Sequence, residues 1–452
     1  MAKEVALRLE KRLLMTNARS VALDTLMKVF KQNSYSNIAL NNALQKSNLS
    51  EVDKNLVTNI VYGTIQYKIF LEYQLRPLIK GKLKDAFIEP LLLMSAYQYF
   101  FLDKVPTNAI FDEANKLAKQ YSKKNSGAYR LVNGILRSLE RQGKILPNKE
   151  DIVNYLSIKE SFPQWLVEYL IKNFGEKKAQ SILASSNQPA PNSIRMTVAP
   201  EFYDEIKADL KHEGYHYDVS KLTDHNLILD HGNIANTPLF KQGKVTIQDS
   251  AASLAVDAFD FKGNEQVLDA CSAPGGKTVQ IAENLISGSV MALDIHENKL
   301  RLVKNAAKRL GVSDKVKTKA LDARKAPEYF EKEQFDKILV DAPCSGLGLI
   351  RRKPEIRYDK TFDDIKHLSK IQSDILDQIA SLLKPGGELV YSTCTITKEE
   401  DEDVVNTFLS KHPNFYLEPV QVGKLAKQEM VRIFPDEYDS DGFFIAKLKK
   451  RG

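Results

Sequence analysis

Cysteine is scarce in this chain of 452 residues, with three in all, and tryptophan is scarcer, with one. The three thiols, Cys271, Cys344 and Cys394, lie far apart and none stands in a CxxC pair, so no zinc site and no other metal is expected. Long apolar runs are missing too. No stretch of about 18 apolar residues exists, and no membrane-spanning helix is expected. The opening residues, MAKEVALRLEKRLL, are charged throughout and contain no apolar export leader. Such a chain is expected in the cytoplasm, where disulfides are rare. Repeats and low-complexity tracts are also absent.

What is present is the composition of a globular protein, 43% hydrophobic and 27% charged, long enough for two or three domains. The net charge of +7 is modest, but its placement is uneven. Lys116, Lys119, Lys123, Lys124, Arg130, Arg137, Arg141 and Lys144 crowd one segment, and Arg351, Arg352, Lys353 and Arg357 form a second group. Clusters of this kind suit a polyanion, although surface helices also carry them without a partner.

Residues 1–146 read as helices only. Leu23, Leu26, Met27 and Phe30 recur at helical spacing, as do Ile110, Ala114, Leu117, Ala118 and Tyr121, and again Leu131, Val132, Ile135, Leu136 and Leu139. Ser50 with Asp53 resembles a capping box, and Gly143 with Pro147 closes the last helix. Residues 147–243 are expected to form a linker and a small α/β (RNA-recognition-like) module, entered by helices after Pro163 and Gly175; the lone Trp165 reads as a packing anchor. From 244 to 452 strands alternate with helices, as in a parallel sheet. The strands expected are Val267–Ala270, Ser289–Asp294, Val316–Leu321, Lys337–Asp341 and Glu388–Ser392. The clearest helix carries Ile365, Leu368, Ile371, Ile375, Ile379 and Leu382, with Gly386-Gly387 as its stop.

This last region is organised around QVLDACSAPGGKT, Gln266 to Thr278. A short apolar strand ends in Asp269, Pro274-Gly275-Gly276 force a turn, and Val279, Ile281 and Ala282 begin a helix. Backbone N–H groups and the positive end of a helix dipole then meet the strand's carboxyl edge, where open α/β sheets bind nucleotide-like cofactors. Asp294 ends the next strand, where an acid can hydrogen-bond ribose hydroxyls, and Asp322 closes the third, where it could meet an adenine edge. Together these describe a pocket for an adenosine cofactor, and the missing GxGxxG argues against a nicotinamide site. The fourth strand runs into Asp341-Ala342-Pro343-Cys344-Ser345-Gly346 and the fifth into Tyr391-Ser392-Thr393-Cys394-Thr395. If those strands are neighbours, two thiols and a carboxylate converge beside the pocket.

DACSAPGGKT, LVDAPCSGLG, YSTCTITKEED and DGFFIAKL resemble, in order, the motifs of the RNA cytosine-5 methyltransferases of the NOL/NOP/Sun group. VYGTIQ, AYQYFFLDKVP and RLVNGILR resemble a NusB-type RNA-binding domain. The combination is similar to bacterial enzymes that act on small-subunit (16S) ribosomal RNA, and it implies an N-terminal helical NusB-like bundle, a middle module and a Rossmann-like methyltransferase domain. The resemblance implies S-adenosylmethionine as cofactor, bound or shaped by Cys271, Ser272, Ala273, Pro274, Gly275, Gly276, Lys277, Asp294, Asp322 and Asp341. It implies Cys394 as the nucleophile that adds to cytosine C6 and Cys344 as the cysteine of release; Asp341 would hydrogen-bond or protonate the base at N3. Three departures stand out: Ser272 where the family usually has Ala, Thr395 where it has Ser, and Met196-Thr197 after Arg195 where Val-Asn is common. A monomer acting on ribosomal RNA, with no membrane partner, is the expectation. The same chemistry on transfer RNA and a non-catalytic RNA-binding factor are the alternatives. DNA methylation fits less well, because Ser345 follows Pro343-Cys344 where the DNA enzymes resemble a PCQ pattern.

Overall fold

The computed structural model describes residues 17–32, 36–123 and 126–452. The charged opening stretch and Lys124 of the basic segment lie outside the described residues. The chain divides into two compact units, Met1–Asn187 with Lys353–Asp359, and Gln188–Arg352 with Lys360–Gly452.

The first unit is helical. Its axis is the helix Ile88–Phe101, IEPLLLMSAYQYFF, which is apolar on every side and buried from Ile88 to Gln98 apart from Glu89. A helix without a polar face must be surrounded. Ala18–Gln32, Glu51–Gln66, Lys68–Leu75, Thr107–Tyr121 and Ala128–Gln142 all pack on it. The last of these turns Val132, Ile135, Leu136 and Leu139 inward and its charged positions outward. Ser50 caps Glu51–Gln66 through the Asp53 backbone, but Asp53 answers the Ser50 hydroxyl at 2.8 Å and not its N–H, so only half of the expected capping box forms. Three further helices, Ile152–Glu160, Gln164–Phe174 and Glu176–Ser185, complete the unit.

Arg357, counted above in a basic group suited to a polyanion, is fully buried in this unit. Its guanidinium donates to Gln66 O at 3.2 Å, Ser161 O at 3.2 Å and Asn187 Oδ1 at 2.9 Å, and lies over the Phe162 ring. Burial pushes it down to about 10. In the second unit Arg352 is equally committed, bridging Asp249 and Asp441 at 3.0 and 2.6 Å. These two cations are structural, which corrects the polyanion expectation for Arg352 and Arg357.

The second unit holds two sheets. The smaller has four antiparallel strands, β1 (Asn192–Met196), β2 (Tyr217–Val219), β3 (Asn226–Leu229) and β4 (Val245–Ile247), in the order β2-β3-β1-β4. Ile206 and Leu210 of the helix Tyr203–His212 join Ile194, Leu227 and Val245 in its core. Thr197, where the family often has Asn, donates its hydroxyl to Gly243 O across the sheet edge.

The larger sheet contains β5 (Gln266–Asp269), β6 (Ser289–Asp294), β7 (Val316–Ala320), β8 (Phe335–Asp341), β9 (Leu383–Thr393), β10 (Phe415–Leu417), β11 (Met430–Ile433) and β12 (Phe443–Lys450). Its order is β10-β12-β9-β8-β5-β6-β7, with β11 also on β12. The five expected strands are the parallel ones, each within a few residues of its expected span. β12 runs antiparallel to β9 and makes the sheet mixed at that edge. Gly386-Gly387 do not stop the long helix, which ends at Ile379. They lie inside β9, where β8 advances from Phe335 to Lys337 while β9 advances from Leu383 to Glu388. The glycines absorb that irregularity, Gly386 with φ +76°.

The chain enters this sheet at its centre, moves outward through β6 and β7, and returns on the other side of β5 as β8. The strand order therefore reverses between β5 and β8, and a crevice opens there at the carboxyl ends. Among the described residues no helix is long and apolar enough to cross a membrane.

Candidate active site

The crevice at the switch point is lined by the turn after β5. Ser272 ties this turn to β6, donating from N and Oγ to Leu293 O at 2.7 and 2.8 Å, and the second of these bonds is one that Ala could not make. Gly275 has φ +109°, and a Cβ there would lie 2.9 Å from Val303 Cα. Gly276 opens the helix Gly276–Glu283, and its Cβ would meet no atom within 4 Å. The turn thus packs tightly on one side and leaves space on the other, where helix N–H groups point.

Beneath it, Asp269 accepts from Thr278 Oγ1 at 2.6 Å, and its other oxygen is buried with no partner. Burial pushes this carboxyl up to about 7, against the Thr278 hydrogen bond and the Lys277 charge. Asp294 receives the His296 N–H at 2.8 Å on one oxygen. Asp322 is held by Arg324, which donates from its backbone and guanidinium and keeps the carboxyl below the usual range. Asp341 accepts from Lys277 Nζ at 2.8 Å and from Ser392 Oγ at 2.9 Å. The Cys271 thiol is pushed well up by burial first and then by Asp269, Asp341, Asp294 and Asp322 together. Four carboxyl groups from four strand ends therefore converge on one crevice, against two cations, Lys277 on Asp341 and Arg324 on Asp322. A negative field of that kind suits a cofactor bearing a positive sulfonium, and the open side of the glycine turn gives it room.

Lys277 is itself held above its ordinary value. Burial alone would lower it, but the charge and hydrogen bond of Asp341 prevail, with smaller help from Cys394 and Asp269.

β8 and β9 are neighbours, paired with Asp341 opposite Ser392, so their carboxyl ends deliver Cys344 and Cys394 to the same place. The two sulfurs are 3.2 Å apart. All three cysteines are reduced and partly exposed. The hydrogen bond to Cys394 raises the Cys344 thiol first, followed by burial and by the charges of Cys394 and Glu400. The loop after Cys344 is stitched to the others: Gly348 N donates to Cys394 O at 3.0 Å and Gly442 N to Gly348 O at 2.9 Å. A Cβ on Gly348 would stand 2.1 Å from Gly442 O, which explains why both glycines sit inside motifs.

The predicted residues thus fall into one crevice. Cys271 to Lys277 form its turn, Asp294 and Asp322 its far rim, and Asp341, Cys344 and Cys394 its near side. Sequence reasoning missed Glu400, which is buried among hydroxyls behind the two thiols. Its run, Lys398-Glu399-Glu400-Asp401, reads as solvated charge; the Thr397-x-x-Glu400 spacing of a capping box was the available signal.

Comparison with known proteins agrees with this geometry. Residues 256–449 match the family model of 16S rRNA methyltransferase RsmB/F, residues 16–141 that of the NusB family, and residues 162–234 a ferredoxin-like domain of RsmF/B-like methyltransferases. A Bacillus subtilis protein named "Probable ribosomal RNA small subunit methyltransferase B" is 39% identical over 97% of this chain and 99% of its own length. The ribosomal RNA small subunit methyltransferase B of Vibrio vulnificus is 34% identical over 96% of this chain and 100% of its own. A crystal structure of a methyltransferase homolog protein from Pyrococcus horikoshii, 29% identical, covers 66% of this chain and 99% of that one with a TM-score of 0.59. With relatives this similar over their full lengths, the chain belongs to the RsmB/F family of 16S ribosomal RNA methyltransferases.

Proposed function

We propose that this protein transfers a methyl group from S-adenosylmethionine to C5 of a cytosine in small-subunit (16S) ribosomal RNA, through a covalent bond between Cys394 and C6 of the base. The observation that carries this reading is the pair of sulfurs 3.2 Å apart beside the Asp341–Lys277 ion pair. Two thiols at that distance suit a reaction in which one sulfur must both attack and leave. The relatives are named for small-subunit ribosomal RNA and match nearly the whole chain, which supports the same substrate here.

Cytosine C5 is a poor nucleophile. Addition of the Cys394 thiolate forms an S–C6 bond and moves electron density to C5. S-Adenosylmethionine, when bound, supplies a methyl group on a positively charged sulfur. The turn from Cys271 to Lys277 would hold it through helix N–H groups. Asp294 would take a ribose hydroxyl on Oδ2, which has no donor among the described residues, and Asp322 would border the adenine. Asp341, which accepts from Lys277, would hydrogen-bond the base, accepting from the exocyclic N4 amine or, when it carries a proton, donating to N3. Once a solvent water has taken the C5 proton, the C–H electrons form the C5=C6 bond, the S–C6 bond breaks and its electron pair returns to Cys394. The Cys344 S–H is placed to hydrogen-bond the departing thiolate. The target base must leave its stack to reach these groups.

We assign RNA affinity to residues 1–146. Between the helices Thr107–Tyr121 and Ala128–Gln142 a cleft of about 450 Å³ is lined by Lys116, Lys119, Tyr129, Arg130, Asn115 and Asn133, among others. Lys119 and Arg130 flank the Tyr129 ring, a setting for phosphate and a stacked base. Changing both to Gln should weaken RNA binding and lower the salt slope by about 1–2, since each phosphate no longer neutralised takes about 0.9 off the slope. Turnover at saturating RNA should hold. An unchanged slope in filter-binding titrations would remove the cleft from the RNA path. The enzyme is proposed to work in the cytoplasm, where ribosomal RNA is transcribed, as a monomer, and no step above calls for a metal.

Bisulfite sequencing of RNA from cells with and without the gene tests the substrate. One protected cytosine in small-subunit RNA should be lost; a loss confined to transfer RNA would overturn the assignment.

A further inference from the structure

We infer that Glu400 is the positioning residue that sets Cys344 against the sulfur of Cys394, and that without its carboxylate the enzyme attacks its substrate but releases it slowly. The inference rests on the roles proposed above for the two cysteines.

Glu400 is wholly buried, yet its partners are neutral donors. One oxygen accepts from Ser345 N at 2.7 Å and Gln372 Nε2 at 3.2 Å. The other accepts from Ser345 Oγ at 2.6 Å, Thr397 Oγ1 at 2.7 Å and Thr395 Oγ1 at 3.2 Å. Ser345 follows Cys344 and Thr395 follows Cys394, and their hydroxyls also meet at 2.8 Å. A single carboxylate therefore grips the residue after each thiol. An ionised carboxylate is tolerated inside a protein only when its lone pairs are filled in this way, and such a network enforces one geometry.

The two cysteines do not depend on it equally. Cys394 directly follows β9, whose last residue, Thr393, is held without Glu400 by its pairing with Phe444 of β12 and its hydrogen bond to Asp401. The Cys344 loop crosses no strand pairing at that point, and Ser345 gives both its N–H and its hydroxyl to Glu400. Removing the carboxylate should thus displace Cys344 and leave Cys394 in place. The charged or titratable groups facing the Cys344 thiol are Cys394, Glu400 and Tyr391. Of these Glu400 helps Cys344 keep its proton.

Glu400→Gln keeps the shape but can fill only one side of the network. With the full-length enzyme, S-adenosylmethionine and small-subunit RNA, kcat should fall on the order of 100-fold, the size of effect that a misplacement of about 1 Å produces. KM for RNA should fall together with kcat, since slow release leaves kcat/KM unchanged, affinity for cofactor should stay near the parent value, and a covalent protein–RNA band should accumulate on denaturing gels. The alkaline limb of the kcat profile should move to lower pH, because Cys344 loses the neighbouring charge; a merely structural acid would not shift it. Glu400→Asp should recover part of the rate. Should the Gln variant fail to fold, as judged by lost cofactor binding, Ser345→Ala serves, since it removes one hydroxyl, keeps the N–H and should give the same band more weakly. Cys344→Ala is the reference. If that variant traps no RNA, the cysteine roles fail. If it traps RNA while Glu400→Gln, or Ser345→Ala in its place, turns over normally, or loses rate with no band, the Glu400 inference alone is overturned.

Discussion

Cys394→Ala enzyme incubated with small-subunit RNA and S-adenosylmethionine should run on a denaturing gel at its own mass, with no detectable turnover. Cys344→Ala should be nearly as inactive, with turnover lower on the order of 10²–10⁴-fold, the range of a lost general acid or base. Its fate should nonetheless be the opposite one. Attack and methylation proceed, the departing sulfur lacks the S–H that stood 3.2 Å away, and the protein stays bonded to its RNA as a slow band. The double variant should lose that band, since the attacking sulfur is gone. A band from Cys394→Ala and none from Cys344→Ala would exchange the two roles. Activity retained in both, with no band, would return the thiols to the status of packing residues.

The largest effect on stability is expected in the helical unit. Arg357→Ala removes a buried guanidinium that satisfies two backbone carbonyls and the Asn187 side chain and fills the space over Phe162. Orphaned acceptors and the cavity together should cost roughly 3–5 kcal/mol in the helical unit. Part of this is offset, because the guanidinium is itself costly there: its Nε and one terminal nitrogen are buried without partners. Urea unfolding followed by amide exchange in Glu51–Gln66 should show an earlier transition, while cofactor binding by the other unit stays in place below that transition. A shift under about 1 kcal/mol would mean that the pocket closes over the missing side chain.

The site was legible because its parts are local. A strand, a glycine turn and a helix start are written in thirteen consecutive residues, and each cysteine stands within three residues of a strand end. Their convergence needed only the adjacency of β8 and β9. Glu400 was illegible because burial is a tertiary decision. A Glu inside a Lys-Glu-Glu-Asp run carries no mark that three hydroxyls from two loops will enclose it. Arg357 failed in the same way, since a cation in a basic cluster looks the same whether it meets phosphate or a circle of carbonyls. The antiparallel edge was hidden for another reason. β10 and β11 are three and four residues long and pair only with β12, which ends in the lysine-rich Lys447-Leu448-Lys449-Lys450 and is itself placed by β9, so none of the three announces its pairing in its own pattern. Gly386-Gly387 illustrate how punctuation misleads. Two glycines after an apolar helix read as its end, but the helix had already stopped and the glycines serve the next strand.

The helical unit includes Lys353–Asp359, and this has a consequence for synthesis. Chains are made from the N-terminus at about 5–20 residues per second, and domains fold as they emerge. About 170 residues separate Asn187 from Asp359, so the helices wait roughly 10–30 s for their last piece. Throughout that interval the carbonyls of Gln66 and Ser161 have no guanidinium to meet. The first unit to be started is therefore completed only after the chain of β5 to β8 has been made, so the two units are interleaved in the order of synthesis.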